Sequence, residues 1–479
     1  MSGPASLPQI RFGTDGWRAV MAGEFTFANL ERVAQAYADY LKQDAAQAAS
    51  DAEQKLVIIG FDRRFLSERF AARAAEVLAG NNFHIALFTE AVPTPLVSWA
   101  VREQGALGGL VITASHNPPE FNGFKIKAPW GGSAAPETTS QVEALVDKTA
   151  PQRAGVETIG VEAERLSQSI ESYRRQVASY VDVERLCKED LRIIVDPMHG
   201  SGGSWVESFL RGGALEVETI RALRDTLFGG VSPEPIDRNL GPLKNRVREA
   251  GAILGLATDG DADRVGAVNE LGETMTMHEV VPLLLLHLAR TRGMSGGVVR
   301  TFSQSVLTKR IAAAHNLKLY ETPIGFKYIA DLMLRDDILI GAEESGGIGV
   351  KGHIPERDGI LNSLLLLEAV VMAGRAPSAL VKEMHREFGE FYFGRRDLHM
   401  PVARGQELVE RLAETPPAGF AGHAVASVET LDGTKLLFED ESWLLFRQSG
   451  TEPVLRVYSE ATSIAKMNAL LDEGERLAK

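Results

Sequence analysis

The chain has 479 residues, which is too many for one hydrophobic core, because single cores stop growing at roughly 250–300 residues. Its formal net charge of −13 argues against a nucleic-acid partner, since phosphate backbones are bound by stripes of Lys and Arg. Cys187 is the single cysteine, so no intramolecular disulfide can form and a cytoplasmic location is predicted. No segment approaches the ~20 apolar residues of a membrane span, so no membrane partner is expected.

Short apolar runs followed by polar loops repeat along most of the chain. The runs predict buried strands at 56–60, 83–88, 110–112, 191–195, 252–257, 297–301 and 338–340. Amphipathic patterns predict helices at 67–79, from about 204, and at 307–315, and the apolar runs 280–289 and 361–372 predict buried helices. This alternation of strand and helix predicts parallel sheets covered by helices on both faces.

The last part of the chain has a different pattern. Short runs at 424–429, 434–438, 443–447 and 454–458 are separated by turn residues, and a closing helix begins near 463. The predicted fold is therefore α/β, with three tandem α/β domains that have mixed, mainly parallel sheets, and a C-terminal α+β domain. We predict domains at 1–160, 161–274, 275–394 and 395–479.

The first polar loop, 113–127, follows a predicted strand. Two prolines keep the segment around Ser115 from continuing as a strand or helix, so Ser115 is predicted to lie in a turn. A serine beside the imidazole of His116 has the setting of an activated nucleophile. Asn122-Gly123 predicts a tight turn, and Lys125 adds an ammonium group. Taken alone, this loop leaves open an ordinary polar turn without chemistry.

The second loop carries three alternating carboxylates, Asp259, Asp261 and Asp263, which would point to one side of an extended segment. Three like charges held together need a cation, and carboxylate oxygens suit Mg²⁺ or Ca²⁺. An EF-hand competes because Glu270 stands at the twelfth position, but Arg264 stands where that loop needs glycine. A solvated acidic turn is the other alternative. The pattern favours a catalytic Mg²⁺ site.

The third loop has Glu343 and Ser345 on one face of a segment that we expect to be extended, where they would bind adjacent hydroxyls of a sugar. His353 and Arg357 follow closely and offer phosphate binding or proton transfer. A surface loop rich in Gly and Glu is an equal alternative for this segment alone.

The fourth loop combines two arginines, two hydroxyls and free backbone amides, a composition typical of an anion-binding nest. The residues are Arg447, Ser449, Gly450, Thr451 and Arg456. Nothing in the loop resembles a nucleotide-binding Walker sequence, so no nucleotide is implied. An ordinary Ser/Gly turn is the alternative.

Taken in this order, the loops resemble those of the α-D-phosphohexomutase superfamily over essentially the whole chain. Thr-Ala-Ser-His-Asn-Pro at 113–118 is similar to the family's phosphoserine loop, and Asp-Gly-Asp-Ala-Asp-Arg at 259–264 to its metal loop. Glu-Glu-Ser-Gly-Gly at 343–347 resembles its sugar loop, and Arg-Gln-Ser-Gly-Thr-Glu-Pro at 447–453 its phosphate loop. The segment 12–18, which ends at Arg18, resembles its first-domain loop.

The resemblance implies four domains around one central cleft and an enzyme that moves phosphate on a hexose through a catalytic phosphoserine at Ser115. A hexose 1,6-bisphosphate is then the intermediate and activator, and Mg²⁺ is held by the Ser115 phosphate and the three aspartates. His116 and Lys125 are assigned to acid/base or orienting roles. Arg264 and Arg18 supply balancing charge, while the third and fourth loops bind the sugar and its second phosphate. Sugar phosphates are the expected partners of a monomer or dimer.

The sugar loop bears on the choice of substrate. Members that act on mannose, glucose or glucosamine phosphates usually have histidine at the position of Gly347, so His353 or Arg357 must cover its role. Glu344 at the variable position resembles phosphoglucomutases, which favours interconversion of glucose 1-phosphate and glucose 6-phosphate. Phosphomannomutase and phosphoglucosamine mutase remain alternatives. A phosphatase that hydrolyses the phosphoserine and a non-catalytic sugar-phosphate sensor are alternatives of other classes.

Overall fold

The computed structural model describes residues 9–13, 16–47, 55–155, 163–450 and 453–479. The chain divides into two units, of which the first contains Met1–Thr274 and Gly347–Glu368. The second contains Met275–Gly346 and Ala369–Lys479. Thr14, Asp15 and Thr451, which belong to loops singled out in the sequence, lie outside the described residues.

The first sheet of the first unit is built around two strands that are buried on both faces. Its elements are β1 Trp17–Val20, α1 Phe27–Gln47, β2 Leu56–Phe61, α2 Ser67–Gly80, β3 His84–Leu87, α3 Thr94–Glu103, β4 Gly108–Ile112, β5 Phe121–Lys127 and α4 Pro136–Leu145. The strand order is β1-β5-β4-β2-β3, with β2 parallel to β3 and β4, and β5 antiparallel to β1 and β4. Every residue of β2 and β4 is buried, as their continuous apolar runs predict.

The second sheet of this unit repeats the plan. Its elements are α5 Ala163–Ala178, α6 Val183–Lys188, β6 Arg192–Asp196, α7 Trp205–Phe209, β7 Glu216–Thr219, α8 Gly241–Ala250, β8 Leu254–Thr258, β9 Val265–Asn269 and β10 Thr274–Met275. The order is β10-β9-β8-β6-β7, with β6 parallel to β7 and β8, and β9 antiparallel to β8. The helix predicted from about 204 is only the five-residue α7, since Leu210 already leaves helical geometry.

The second unit begins with a third strand-and-helix layer. Its elements are α9 Met277–Leu286, a π-helical turn His287–Thr291, β11 Gly297–Thr301, α10 Val306–Ala314, β12 Leu319–Thr322, α11 Phe326–Arg335 and β13 Ile338–Ala342. Strand β11 is parallel to both β12 and β13. The chain continues through β14 Ile348–Val350, α12 Gly359–Ala373 and α13 Pro377–Phe388, and β14 and the start of α12 belong to the first unit.

The last sheet is antiparallel. It comprises β15 Tyr392–His399, α14 Val402–Glu414, β16 Gly419–Phe420, β17 His423–Glu429, β18 Thr434–Phe438, β19 Trp443–Gln448, β20 Val454–Ala461 and α15 Ile464–Ala478. The strand order is β15-β20-β19-β18-β17-β16. Its core joins Leu444, Phe446 and Val457 of the sheet to Leu470 and Leu471 of α15.

The predicted fold class is confirmed, since three α/β layers precede a C-terminal α+β layer. The four domain boundaries stay predictions, as does the central cleft. Within the described residues, no helix has by itself the length and apolar composition of a membrane span. The pair α12 and α13 passes that test only when its two helices, bent by 78°, are taken together.

Candidate active site

Ser115 lies in a tight turn directly after β4, as the two following prolines predict. Its side chain is buried, and its backbone has φ +50°, the left-handed region that residues other than glycine seldom adopt. The Ser115 hydroxyl donates a 2.8 Å hydrogen bond to Oδ2 of Asp259, and Nδ1 of His116 lies 3.3 Å from the same hydroxyl oxygen. The turn therefore aims a buried hydroxyl at the aspartate loop.

The aspartate loop between β8 and β9 is a turn, so the prediction of an extended segment is wrong. Ala262 has φ +58°, and Oδ1 of Asp259 accepts hydrogen bonds from the backbone N–H groups of Asp263 and Arg264 at 3.0 and 3.1 Å. The three carboxylates still converge, because the chain folds around the first of them.

The aspartates Asp259, Asp261 and Asp263 form a candidate metal centre. Each offers one oxygen, these oxygens lie within 4.8 Å of one another, and all three side chains are buried. Among the described residues, Oδ1 of Asp261 and Oδ1 of Asp263 have no hydrogen-bond partner. Buried carboxylate oxygens without a donor are costly unless a cation binds them, and three such ligands fit Mg²⁺. The donor set therefore fits the predicted ion.

Two cations contact the same carboxylates. Nζ of Lys125 lies 3.0 Å from Asp261 and 3.1 Å from Asp263, and a guanidinium nitrogen of Arg357 lies 3.0 Å from Asp263. Burial and the charges of Asp261 and Asp263 raise the pKa of Asp259 well above its usual range. Burial also opposes ionisation of Asp261, but Lys125 and Thr94 hold the pKa of that carboxyl below its usual range. Lys125 thus contacts Asp261 and Asp263, and Asp259 faces the Ser115 hydroxyl.

Lys125 reaches this position because β5 is a strand. The tight turn predicted at Asn122-Gly123 is wrong, since both residues lie inside β5 and pair with β1. Gly123 is needed for packing, because a methyl group there would stand 2.5 Å from the carbonyl oxygen of Thr113 and 2.9 Å from that of Trp17.

Arg18 contacts the serine turn, and Arg264 lies beside the aspartates. The Arg18 guanidinium donates a 2.7 Å hydrogen bond to Oδ1 of Asn117, and Arg264 lies 4.0 Å from Asp263. Burial and the charges of Arg264 and Arg18 hold the pKa of His116 well below its usual range, which keeps the imidazole neutral. A neutral imidazole beside a hydroxyl can accept a proton.

Three residues that sequence reasoning missed support the aspartate loop. Thr94, at the start of α3, donates its hydroxyl to Oδ2 of Asp261 at 2.8 Å and its backbone N–H to the carbonyl of the same residue at 2.9 Å. The backbone N–H of Ser201 donates to the carbonyl of Gly260 at 3.0 Å. Gly359 packs so closely that a methyl group would overlap the carbonyl oxygen of Arg264. The only sequence signals are prolines around Thr94 and the Gly-rich run after β6.

His353 is placed differently from the sequence prediction of an acid/base role. Its imidazole is buried and stacked on Trp99 with ring centroids 5.8 Å apart, and Nε2 lies 2.9 Å from Oδ2 of Asp358. Tyr173 donates to the same carboxylate oxygen at 2.9 Å. These contacts favour a structural role at the start of α12, and the catalytic role of His353 stays a prediction.

Residues 343–346 of the sugar loop belong to the second unit and form a turn, so the extended conformation predicted for the loop is wrong. The backbone N–H of Gly346 donates to the carbonyl of Glu343 at 3.3 Å, which reverses the chain across Ser345. Glu344 lies 3.5 Å from Arg395, and that guanidinium also makes two 2.7 Å hydrogen bonds to Asp397. Glu344, which stands at the variable position of the sugar loop, is therefore held in a chain of ion pairs.

The phosphate loop joins β19 to β20 in the same unit. Arg447 and Arg456 stand directly opposite each other across these strands, and Arg447 lies 3.0 Å from Asp432. Asp397 of β15 stands opposite Arg456 on its other side, so each arginine has a carboxylate nearby. Two neighbouring guanidinium groups can still bind one anion through charge-assisted hydrogen bonds. Ser449 is buried at the base of the loop and Gly450 is exposed near its tip. Thr451, which was also predicted to bind phosphate, lies outside the described residues.

The predicted site residues therefore fall into two sets. In the first unit the structure brings together a group around the serine and the aspartates: Ser115, His116, Lys125, Arg18, Asp259, Asp261, Asp263, Arg264 and Arg357. In the second unit the sugar and phosphate loops both neighbour Tyr458, whose pKa is raised first by burial and then by Glu344.

Four family models match the chain in order along its length. They describe phosphoglucomutase/phosphomannomutase alpha/beta/alpha domain I at residues 9–153, domain II at 171–272, domain III at 277–388 and the C-terminal domain at 402–476. The chain belongs to the phosphoglucomutase/phosphomannomutase family of the α-D-phosphohexomutase superfamily. Members of this family are phosphotransferase isomerases, and the chain is an enzyme of that class.

Individual relatives differ in the sugar that their names give. A phosphoglucomutase/phosphomannomutase of Thermococcus kodakarensis is 31% identical and covers 97% of this chain and 98% of its own. A probable phosphoglucosamine mutase of Methanothermobacter thermautotrophicus is 28% identical and covers 95% of this chain and 94% of its own. The crystal structure of a putative phosphomannomutase from Thermus thermophilus is 37% identical, with a TM-score of 0.84 and coverage of 98% and 99%.

Proposed function

We propose that this phosphohexomutase interconverts glucose 1-phosphate and glucose 6-phosphate through a phosphoserine at Ser115 and glucose 1,6-bisphosphate. The observation that carries the phosphoserine is the left-handed turn that aims its hydroxyl at Asp259, 2.8 Å away, inside a buried cluster of carboxylates. The preference for glucose depends on Glu343, Glu344 and Ser345 in the sugar loop.

In this mechanism the bond between Oγ of Ser115 and phosphorus breaks as a hydroxyl oxygen of the sugar monophosphate bonds to that phosphorus. The hydroxyl proton passes to a neighbouring base, for which neutral His116 is suited, and the departing serine oxygen takes up a proton to become a free hydroxyl. The bisphosphate then reorients, the serine hydroxyl gives up its proton as its oxygen takes back the other phosphoryl group, and the released sugar oxygen is protonated. Neither transfer consumes water, whereas a phosphatase would use water to hydrolyse the phosphoserine. A mutase therefore has to exclude water from the phosphoserine.

Charge balance supports a phosphorylated serine at this position. Three carboxylates and a phosphoserine carry about five negative charges. Lys125, Arg264 and Arg357 lie within 3.0–4.0 Å of the aspartates and supply three positive charges. A magnesium ion held by the aspartates would supply the other two and stabilise charge on the transferring phosphoryl group.

The second phosphate of the substrate is assigned to the opposed Arg447 and Arg456, with Ser449 at the base of the same loop. Because the bisphosphate presents either phosphate after it reorients, this site has to recognise a phosphate and not the stereochemistry of the sugar. Paired guanidinium groups suit that task, since their hydrogen bonds to phosphate are charge-assisted and independent of the ring.

Replacing Arg456 by glutamine should weaken substrate binding much more than turnover. Hydrogen bonds to charged groups contribute about 1.5–3 kcal/mol, so we expect KM for the sugar phosphate to rise roughly 10- to 100-fold while kcat changes little. The melting temperature should show that the fold is retained. Steady-state kinetics and a melting curve measure both. Arg476→Gln, at an exposed position of α15, is the control, and an unchanged KM in the Arg456 variant would remove this arginine from the phosphate site.

Activity on competing sugars tests the proposed substrate. The purified protein, with Mg²⁺ and glucose 1,6-bisphosphate, is assayed for kcat/KM on the 1-phosphates of glucose, mannose and glucosamine. We expect glucose 1-phosphate to be preferred and the preference to shrink in Glu344→Gln. The names of the relatives support mannose and glucosamine phosphates as second candidates, and tenfold better turnover of either would replace glucose. Stoichiometric release of inorganic phosphate would instead indicate a phosphatase.

A further inference from the structure

Arg64 is a buried arginine that no predicted role in the reaction uses. It follows β2 in the loop that leads to α2, and its side chain is completely enclosed. Its two terminal nitrogens donate four hydrogen bonds to backbone carbonyls of one segment. The acceptors are Ser115 at 2.7 Å, Asn117 at 2.6 Å, Pro118 at 2.7 Å and Phe121 at 3.0 Å.

The guanidinium of Arg64 has no donor left for a ligand. Its remaining N–H, at Nε, donates to Oδ2 of Asp62 at 3.1 Å, so all five donors of the side chain are used inside the protein. An ammonium group has three donors at one point and cannot span four carbonyls spread over seven residues. The planar guanidinium of Arg64 therefore reaches the four carbonyls of the serine turn, which a lysine at this position could not do.

Asp62 connects the same pair to the other side of Ser115. Its carboxylate accepts the hydroxyl of Thr113 at 2.7 Å, and Oγ1 of Thr113 accepts the backbone N–H of Ser115 at 2.8 Å. Ser115 is thus held at its N–H through Thr113 and at its carbonyl by Arg64. Both connections end in one buried ion pair.

The loop that carries Arg64 is itself fixed from its far side. The ring of Phe228 lies 5.0 Å from the Arg64 guanidinium carbon, and Arg224 donates to the backbone carbonyls of Arg63 and Arg64 at 3.0 and 2.8 Å. A guanidinium enclosed in this way has little freedom to move when the serine gains or loses a phosphoryl group.

We propose that Arg64 and Asp62 are positioning residues that keep Ser115 in its left-handed conformation and its Oγ directed at Asp259. Arg64 contacts the backbone of the turn, Asp62 contacts the hydroxyl of Thr113, and neither hydrogen-bonds to a group that reacts. Left-handed backbone is strained for serine, so the turn needs an external restraint to remain the populated state. Loss of that restraint should therefore lower the rate of phosphoryl transfer and leave binding of the sugar phosphate intact. The inference depends on the proposed phosphoserine.

The test compares Arg64→Lys with Arg63→Lys, which changes the neighbouring arginine whose guanidinium donates to the carbonyl of Ala222. Displacement of a reacting group by about 1 Å costs on the order of 100-fold in rate. We expect Arg64→Lys to lose roughly that factor in kcat, with KM within about twofold of the wild type. Intact mass should show the same loss in the rate at which glucose 1,6-bisphosphate phosphorylates the protein. Arg63→Lys should match the wild type in both measurements.

Two further variants test the same positioning role if Arg64→Lys folds poorly. Thr113→Val removes the hydroxyl between Asp62 and Ser115 with little change in volume, and it should lower kcat with KM unchanged. Arg64→Ala should regain part of its kcat when millimolar guanidinium is added, because a restored donor can occupy the cavity. Normal kcat in Arg64→Lys and Thr113→Val would overturn the inference, as would parallel losses of kcat, substrate binding and thermal stability. A wild-type protein that never gains phosphate would instead refute the proposed function.

Discussion

Replacing Ser115 by alanine is expected to abolish turnover while leaving the fold and the binding of sugar phosphate intact. The substitution removes the oxygen that accepts and returns the phosphoryl group, and removal of a catalytic nucleophile costs about 10⁴-fold or more in kcat. The melting temperature should change little, because the backbone hydrogen bonds of Arg64 and Thr113 to this turn do not involve the hydroxyl. Coupled mutase assays and calorimetric binding of glucose 6-phosphate measure the two effects.

The matched control is Ser179→Ala, which removes an exposed hydroxyl bonded only to the carbonyl of Gln176 among the hydrogen bonds described for it. Its kcat should equal that of the wild type. Intact mass gives an independent readout, because the wild type should gain the mass of one phosphate from glucose 1,6-bisphosphate and the Ser115 variant should not. Phosphate on the Ser115→Ala protein, or more than a tenth of normal activity, would place the nucleophile elsewhere.

Replacing Asp261 by asparagine is expected to weaken metal binding and lower kcat by about 10³-fold. A metal ion contributes several kcal/mol of stabilisation to the charge of the transferring group, and each 1.36 kcal/mol is tenfold in rate. Asp261 should be sensitive to this substitution. Its Oδ1 has no hydrogen-bond partner within the described chain and can bind a metal, and its Oδ2 accepts hydrogen bonds from Lys125 and Thr94. Activity measured over a range of Mg²⁺ concentrations gives the effect.

A thermal shift separates metal binding from catalysis. Because an ion that binds only the folded protein raises its stability, Mg²⁺ should increase the melting temperature of the wild type and a chelator should reverse the increase. The Asp261→Asn protein should show a much smaller shift. Asp190→Asn, at an exposed position, should behave like the wild type. Equal shifts in wild type and Asp261→Asn would exclude this carboxylate as a ligand.

The continuous apolar runs that form β2, β4 and β6 could be predicted because strands buried on both faces leave a direct signature in sequence. Strand β5 could not, since Asn122-Gly123 is the dipeptide most typical of a hairpin turn. In the folded protein this glycine is required for close packing between β1 and the serine turn. The packing of Gly123 in the folded protein therefore outweighs the local preference of Asn-Gly for a turn.

The grouping of side chains at the site was predictable where it depends on residue types, and the contacts that hold them in place were not. Three alternating aspartates indicate a cation whatever the conformation, so the prediction of a metal site does not depend on the extended backbone, which was wrong. Arg64 left no pattern to find, because its partners are backbone carbonyls, which every residue possesses. Glu343, Ser345 and the arginines of the second unit keep their predicted roles as proposals.

Gly359 constrains the conformation of the aspartate loop, although it has no side chain that could take part in the reaction. A single methyl group at this position would overlap the carbonyl oxygen of Arg264, and one on Gly200 would stand 2.8 Å from the carbonyl oxygen of Asp259. The conformation of the loop therefore depends on two glycines that are distant in sequence, Gly200 roughly 60 residues before it and Gly359 roughly 100 residues after it. In a library of random variants, these glycines should tolerate change as poorly as the aspartates themselves. Mutational intolerance around the aspartates would then reflect the need for space near the backbone as well as the chemistry of the carboxylates.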